Sequence, residues 1–112
     1  MNWKDSTAKP LSEPVLLILI SLADQPRHGY GLIKDIESLS NNRVRMSTGT
    51  LFGALRRLLE SGLIERFEQD DTVRDKQAYR LTSAGREQLR QEMERMKHLT
   101  RAASARLKTS EA

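Results

Sequence analysis

Ser47-Thr48-Gly49-Thr50-Leu51-Phe52-Gly53-Ala54-Leu55-Arg56-Arg57-Leu58-Leu59-Glu60-Ser61-Gly62-Leu63-Ile64 decides how this chain folds. Leu51, Leu55, Leu58 and Leu59 recur at i, i+4, i+7 and i+8, which is one face of an α-helix. Ser47 stands just ahead of that period, where a hydroxyl can accept a first-turn amide and cap the helix. Gly62 stands where a left-handed residue ends one. Leu63-Ile64 then begins a strand. Gly49, Gly53, Arg56 and Arg57 fall away from the leucine stripe. Arg43 and Arg45 precede the cap, and no acid occurs between Arg43 and Arg57.

Upstream, Ser12-Glu13-Pro14 is a helix start: a capping hydroxyl, an acid and a first-turn proline. Val15, Leu16, Leu17, Ile18, Leu19, Ile20 and Leu22 make this helix apolar nearly all round, so it is expected to be buried on more than one side until about Ala23. Asp24-Gln25-Pro26 breaks it. Leu32, Ile33, Ile36 and Leu39 give a second amphipathic helix over Gly29 to Ser40, closed by Asn41-Asn42. Arg43 to Met46 reads as a short extended bridge.

Downstream, Glu65 to Glu68 and Lys76 to Leu81 read as two strands around a polar tip, Gln69 to Asp75. Thr82 or Ser83 caps a last helix from Ala84 to about Lys108, roughly 37 Å long at 1.5 Å per residue. Its apolar positions Leu89, Met93, Met96, Ala103 and Leu107, with Thr100 in the remaining slot, step by four and three in a heptad seam. Leu99 stands beside it. That seam leaves more apolar surface than one small domain covers, so a second copy is expected on Leu89, Met93, Met96, Leu99, Thr100, Ala103 and Leu107. The helix also carries seven basic side chains against three acidic ones.

Helix, helix, helix, hairpin is the order of a winged helix-turn-helix. The expected fold is mainly α with a small β-hairpin and a long C-terminal dimerisation helix. Residues 1–11 are expected to form a flexible arm, 12–82 the winged helix and 83–112 the dimerisation helix and tail.

Composition narrows the function. The 112 residues suit one small domain, and 38% hydrophobic residues exclude a chain disordered by composition or embedded in a membrane. The longest apolar run, Val15 to Ile20, falls short of the roughly 20 residues of a membrane span. No targeting segment is visible, so a cytoplasmic protein is expected. Cysteine is absent, which excludes disulfides, thiolate metal clusters and a thiol nucleophile. Aromatics at 4% argue against a base-stacking platform for single strands. His28 and His98 are the only histidines and lack acidic partners at ligand spacing, so no metal is expected. Asp70, Asp71, Asp75 and Glu68 lack the glycine and spacing of a calcium loop. Gly29-Tyr30-Gly31 lacks the third glycine and preceding strand of a dinucleotide fingerprint. No nucleophile, base and orienter come together, so the chain reads as no enzyme and as needing no cofactor.

The net charge of +4 and pI near 9.8 permit a nucleic-acid partner. A third helix apolar on one side and small or basic on the other fits a core on one side and a major groove on the other. Its first amides suit a phosphate. Taken alone, the glycines would be tolerated defects and the arginines a solvated face; within this element order the DNA reading is preferred. Its candidate residues are Lys34, Arg43, Arg45, Ser47, Thr48, Gly49, Thr50, Phe52, Gly53, Arg56 and Arg57. Arg74 and Lys76 join them from the wing.

Gly29-Tyr30, Ser47-x-Gly49-Thr50-Leu51, Leu55-x-x-Leu58, Gly62-Leu63-Ile64 and Tyr79-Arg80-Leu81-Thr82-x-x-Gly85 together resemble the PadR family of bacterial transcriptional regulators, over about Leu11 to Leu89. The short final helix resembles the compact branch of that family. The resemblance implies a homodimer built through that helix, binding double-stranded operator DNA and usually repressing transcription. It also implies, for some members, release by a small aromatic or hydrophobic effector bound near the dimer interface.

Two departures stand out. Family members often have proline after the cap and Tyr-Pro after Gly-Thr-Leu, where this chain has Thr48, Phe52 and Gly53. Phe52 then either packs against a sugar or thymine methyl, or belongs to the core. The wing tip carries Asp70, Asp71 and Asp75, which oppose phosphates. Trp3 is either a packing residue of a loose arm or part of an arm folded over the partner subunit. Met93 and Met96 suit either plain core or a ligand cavity. The rival readings are a winged-helix family with another dimer geometry, and a winged helix that docks an acidic protein.

Overall fold

A computed structural model describes residues 11–67 and 77–111. Most of the arm with Trp3, the wing tip, Arg74 and Lys76 lie outside the described residues. The elements in order are α1 (Glu13–Ser21), β1 (Arg27–His28), α2 (Gly29–Leu39), α3 (Thr48–Glu60), β2 (Ile64–Phe67), β3 (Ala78–Leu81) and α4 (Ser83–Glu111). The protein is mainly α with one small antiparallel sheet.

Local chemistry sets the helix ends. Ser12 accepts the Val15 amide at 3.4 Å to open α1, and Ser47 accepts the Thr50 amide at 3.1 Å to open α3. Of the two expected caps for α4, Thr82 takes the role: its Oγ1 accepts the Gly85 amide at 3.0 Å. The end of α3 is a Schellman motif. Gly62 adopts φ +77°, its amide reaches the Leu59 carbonyl, and the Leu63 amide reaches the Leu58 carbonyl. The same motif closes α2, with Asn41 at φ 53° and Asn42 at φ 66° in place of glycine.

Leu17, Ile18 and Leu19 are buried in succession, so α1 is covered on more than one side as its all-round apolarity requires. Ile18, Leu19, Leu32, Ile36, Leu51 and Leu55 are inaccessible or nearly so, and form one core with Ile64, Tyr79, Leu81 and Leu89. Each such side chain contributes about 1.5–3 kcal/mol of burial.

One expectation changes. The sheet has three strands in the order β1-β3-β2, not two. Arg27 pairs with Tyr79 and His28 with Ala78, while Ile64 to Phe67 pair with Leu81 to Ala78. A two-residue strand has no period to read, and its partner lies some fifty positions away. Arg27 is fixed from its other side: its Nε donates to the Ser21 carbonyl at 2.7 Å and lies 3.6 Å from Asp35, whose carboxylate accepts the Ser21 hydroxyl at 2.6 Å. Arg43 to Met46 forms no strand; the Val44 amide bonds to Ser40 Oγ at 3.0 Å instead of a ladder partner.

Gly85 brings α4 against the α3–β2 turn. A Cβ there would collide with the Leu63 carbonyl oxygen. Thr82 adds a bond from its hydroxyl to the Gly62 carbonyl at 2.6 Å. Beyond Met96 the described helix is exposed on every side.

Candidate nucleic-acid interface

The first turn of α3 is the centre of the candidate surface. Ser47 Oγ accepts the Thr50 amide and donates its own proton to Thr50 Oγ1 at 3.0 Å. The Thr50 hydroxyl keeps its proton for an outside acceptor. Thr48, Gly49 and Thr50 are all exposed. A Cβ placed on Gly49 or Gly53 would meet nothing within 4 Å. The fold itself therefore does not need glycine at either position, and the space they leave opens outward.

Phe52 divides between its two readings. It is 43% exposed, and its ring tip lies over α2, where a Cβ on Gly29 would come within 2.8 Å of it. The ring covers the start of α2 and leaves its remaining surface beside Thr48.

Lys34, Arg45, Arg56 and Arg57 are exposed and make no ion pair with a described residue. Arg43 differs. Its guanidinium sits 2.8 Å from Glu13 at the start of α1, so this candidate already has an anionic partner. Arg74 and Lys76 lie outside the described residues.

The described wing carries two arginines that sequence reasoning did not select. Arg66 Nε donates to Gln77 Oε1 at 3.0 Å. Arg80 Nε donates to Glu65 Oε2 at 2.7 Å, and its guanidinium stands 4.7 Å from the centre of the Phe67 ring. Strand alternation along Glu65 to Glu68 and Lys76 to Leu81 was the signal available for both.

The α4 seam divides in two. Leu89 is packed in this chain's own core. Met93 is 44% exposed, Leu99 51% and Leu107 60%; Thr100 and Ala103 are exposed, and Met96 is half-buried. Met93, Met96, Lys97, Thr100 and Arg101 line an open groove of about 380 Å³. Between core and groove, Glu92 is 4% exposed and its carboxylate lies 2.6 Å from Arg95.

His28 occupies the residue ahead of α2 but makes no side-chain cap, and its Nδ1 is buried without a hydrogen-bond partner among the described residues. Among the described residues no three His, Cys, Asp or Glu side chains converge as a metal site. None of the described helices is long and apolar enough to cross a membrane.

Comparison with known proteins agrees with this geometry. The model of the transcriptional regulator PadR-like family matches residues 18–91. A Streptomyces fradiae protein, described as an uncharacterised 37.1 kDa protein in transposon TN4556, is 39% identical over 85 residues. That match takes in 76% of this chain and spans 23% of the curated relative's length. A PadR family transcription regulator from Clostridium difficile R20291 superposes with a TM-score of 0.71 at 19% identity, covering 86% of this chain and 99% of that one. Bacillus subtilis PadR in complex with operator DNA superposes with a TM-score of 0.59 at 21% identity, covering 68% of this chain and 44% of that one. The two structures share the fold, and the family match covers well over half of the chain. A winged helix whose third helix carries no acid before Glu60 is thus joined to a family match running from α1 into α4, and the chain belongs to the PadR-like family of DNA-binding transcriptional regulators, which are not enzymes.

Proposed function

We propose that this protein represses transcription by binding a palindromic operator as a homodimer, with α3 in the major groove. The observation that carries the reading is the outer face of α3. It presents exposed hydroxyls at Thr48 and Thr50, open space at Gly49 and Gly53, and the guanidinium groups of Arg56 and Arg57, which pair with no carboxylate among the described residues. No carboxylate interrupts that face from Arg43 to Arg57. Thr48, Thr50 and Arg56 read base edges, while Lys34 and Arg45 hold phosphates. Ser47 positions the helix rather than touching DNA, because its hydroxyl is spent on the cap. Bacillus subtilis PadR, which shares the fold, was crystallised with operator DNA, and that supports a DNA partner here.

The exposed part of the α4 seam supplies the dimer contact, and a two-fold axis then sets two α3 helices on successive half-sites. A small hydrophobic or aromatic effector fits the methionine-lined groove on that seam and acts by shifting the spacing of the two α3 helices. A cytoplasmic location follows from the DNA partner.

The test is titration of the protein on duplexes carrying the promoter of the neighbouring gene and on random duplexes, across a range of salt. Binding is expected to weaken with salt and to prefer one palindrome. Arg56→Ala is expected to weaken operator binding by about 1–3 kcal/mol and random DNA less, the signature of a guanine contact. Equal loss on both would reduce Arg56 to a phosphate contact. Binding with no sequence preference removes the reading in favour of a module that docks an acidic protein.

A further inference from the structure

The methionine groove on α4 lies beside the point where the chain enters α1. Arg86, in the first turn of α4, donates from Nη1 to the Ala23 carbonyl at 3.0 Å, just past the end of α1. α1 is the helix packed most extensively on α4, and Leu89 and Glu92 stay buried further along α4 from Arg86. α1 therefore runs back along α4 in the opposite direction. Ser12 to Ala23 covers about 16 Å at 1.5 Å per residue, and so does Arg86 to Lys97. The start of α1 thus stands about level with Met96 and Lys97, and Leu11 is held there, half-buried against the core.

The segment ahead of Leu11, Met1 to Pro10, carries the chain's only tryptophan, Trp3. From Leu11 back to Trp3 the extended chain reaches up to about 28 Å, so the groove is within its range at any crossing angle of the two helices. The groove suits an indole. Its volume is about 380 Å³, and a cavity of about 150 Å³ already accepts benzene. Met93 and Met96 supply polarisable sulfur, a favourable neighbour for an aromatic ring. A tryptophan buries about 150–250 Å², and exposed Met93 and half-buried Met96 have apolar surface to share with it. The rim is basic, with Lys97 and Arg101 one turn apart, and Asp5, the segment's only carboxylate, follows Trp3 by two residues. Lys4, between them, can turn its charge to water.

We propose that residues 1–10 dock on this groove of their own chain, with the Trp3 indole against Met93 and Met96. The groove is then filled from within, and a small hydrophobic effector enters only by displacing Trp3; that last step rests on the effector reading above, and the docking itself does not. The tether spares the contact a high intrinsic affinity, because a short linker holds its end at about millimolar local concentration. Leu99, Ala103 and Leu107, further along α4, stay open to a second copy.

The test uses Trp3 as its own probe, since no other tryptophan emits. In the full chain the emission is expected to lie to the blue of the same chain in denaturant, with acrylamide quenching it several-fold less. Met93→Glu, at an exposed position and with the fold checked by circular dichroism, is expected to return both readings toward the denatured values. Leu107→Glu, on the seam outside the groove, and dilution are expected to leave both unchanged. Trp3→Ser is expected to bind the dye anilinonaphthalene sulfonate several-fold more tightly than the wild type, because the groove is vacated. Wild-type emission and quenching equal to those in denaturant would show that the segment does not dock. Shielding that survives Met93→Glu puts Trp3 on another surface. Shielding lost on dilution or in Leu107→Glu makes a second copy its cover. Equal dye binding by the wild type and Trp3→Ser means that Trp3 does not fill the groove. Each of these four results overturns the proposal, and none of them bears on the DNA reading.

Discussion

Gly85 and Gly29 show how differently two glycines can matter. A Cβ on Gly85 meets the backbone carbonyl of Leu63, which cannot move without shifting the α3–β2 turn. Gly85→Ala is therefore expected to cost about 2 kcal/mol or more, read as a lower denaturation midpoint at unchanged m-value. A Cβ on Gly29 meets only the tip of Phe52, a side chain half in solvent that can swing away. Gly29→Ala is expected to leave stability within about 1 kcal/mol of wild type and to displace Phe52 outward. At the head of α3, Ser47→Ala removes the acceptor of the Thr50 amide and is expected to cost about 1 kcal/mol. Thr50→Ala removes an exposed hydroxyl that accepts the Ser47 proton and donates its own outward, so the melting temperature should barely change while DNA affinity falls. If both substitutions lower stability alone, this turn has no role in recognition.

Along α4 the seam reads as one continuous stripe, but its environment changes at Glu92. Leu89 belongs to the core and Met93 to the open groove. Glu92, between them, is buried and held by Arg95, whose side chain is 26% exposed. The two partners are thus unequal. Arg95→Ala strands a buried carboxylate and is expected to cost about 3 kcal/mol. Glu92→Gln leaves an arginine that can turn toward water, and is expected to cost clearly less. Chemical denaturation of the two variants checks the asymmetry; equal losses would mean that Glu92 reaches solvent when its partner is removed.

For the whole molecule, the question is what covers the outer half of α4. Leu99 and Leu107 stand more than half exposed in the single chain, and every residue from Lys97 to Ser110 is exposed. An apolar stripe bordered by charge marks an interface. Met96→Glu combined with Leu107→Glu would place carboxylates against a partner's seam, at a cost of several kcal/mol to association. Both side chains reach solvent in one chain, so the fold itself should persist by circular dichroism. Sedimentation is expected to show monomers, and operator affinity should collapse as each half-site loses its linked second contact. A double variant that stays dimeric and binds tightly would place the dimer contact on another surface.

The sequence by itself determined the helices and their ends. Leucine spacing, Ser12, Ser47 and Gly62 act over three or four residues, and such local signals survive without a partner. They were enough to order the elements as a winged helix and to select the outward face of α3. What lay beyond them depended on residues far apart in the chain. β1 exists only because β3 offers Arg27 and His28 a ladder. Arg43 carries a counter-charge because α1 brings Glu13 within 2.8 Å, thirty residues away. Leu89 and Leu107 obey the same heptad step, yet one is core and the other open, because the domain under α4 ends near Met96. Arg66 and Arg80 look alike in sequence; strand pairing alone puts them on opposite faces, one beside Gln77 and the other beside Glu65. Periodicity states which residues share a face, and only the packed neighbours decide what that face meets.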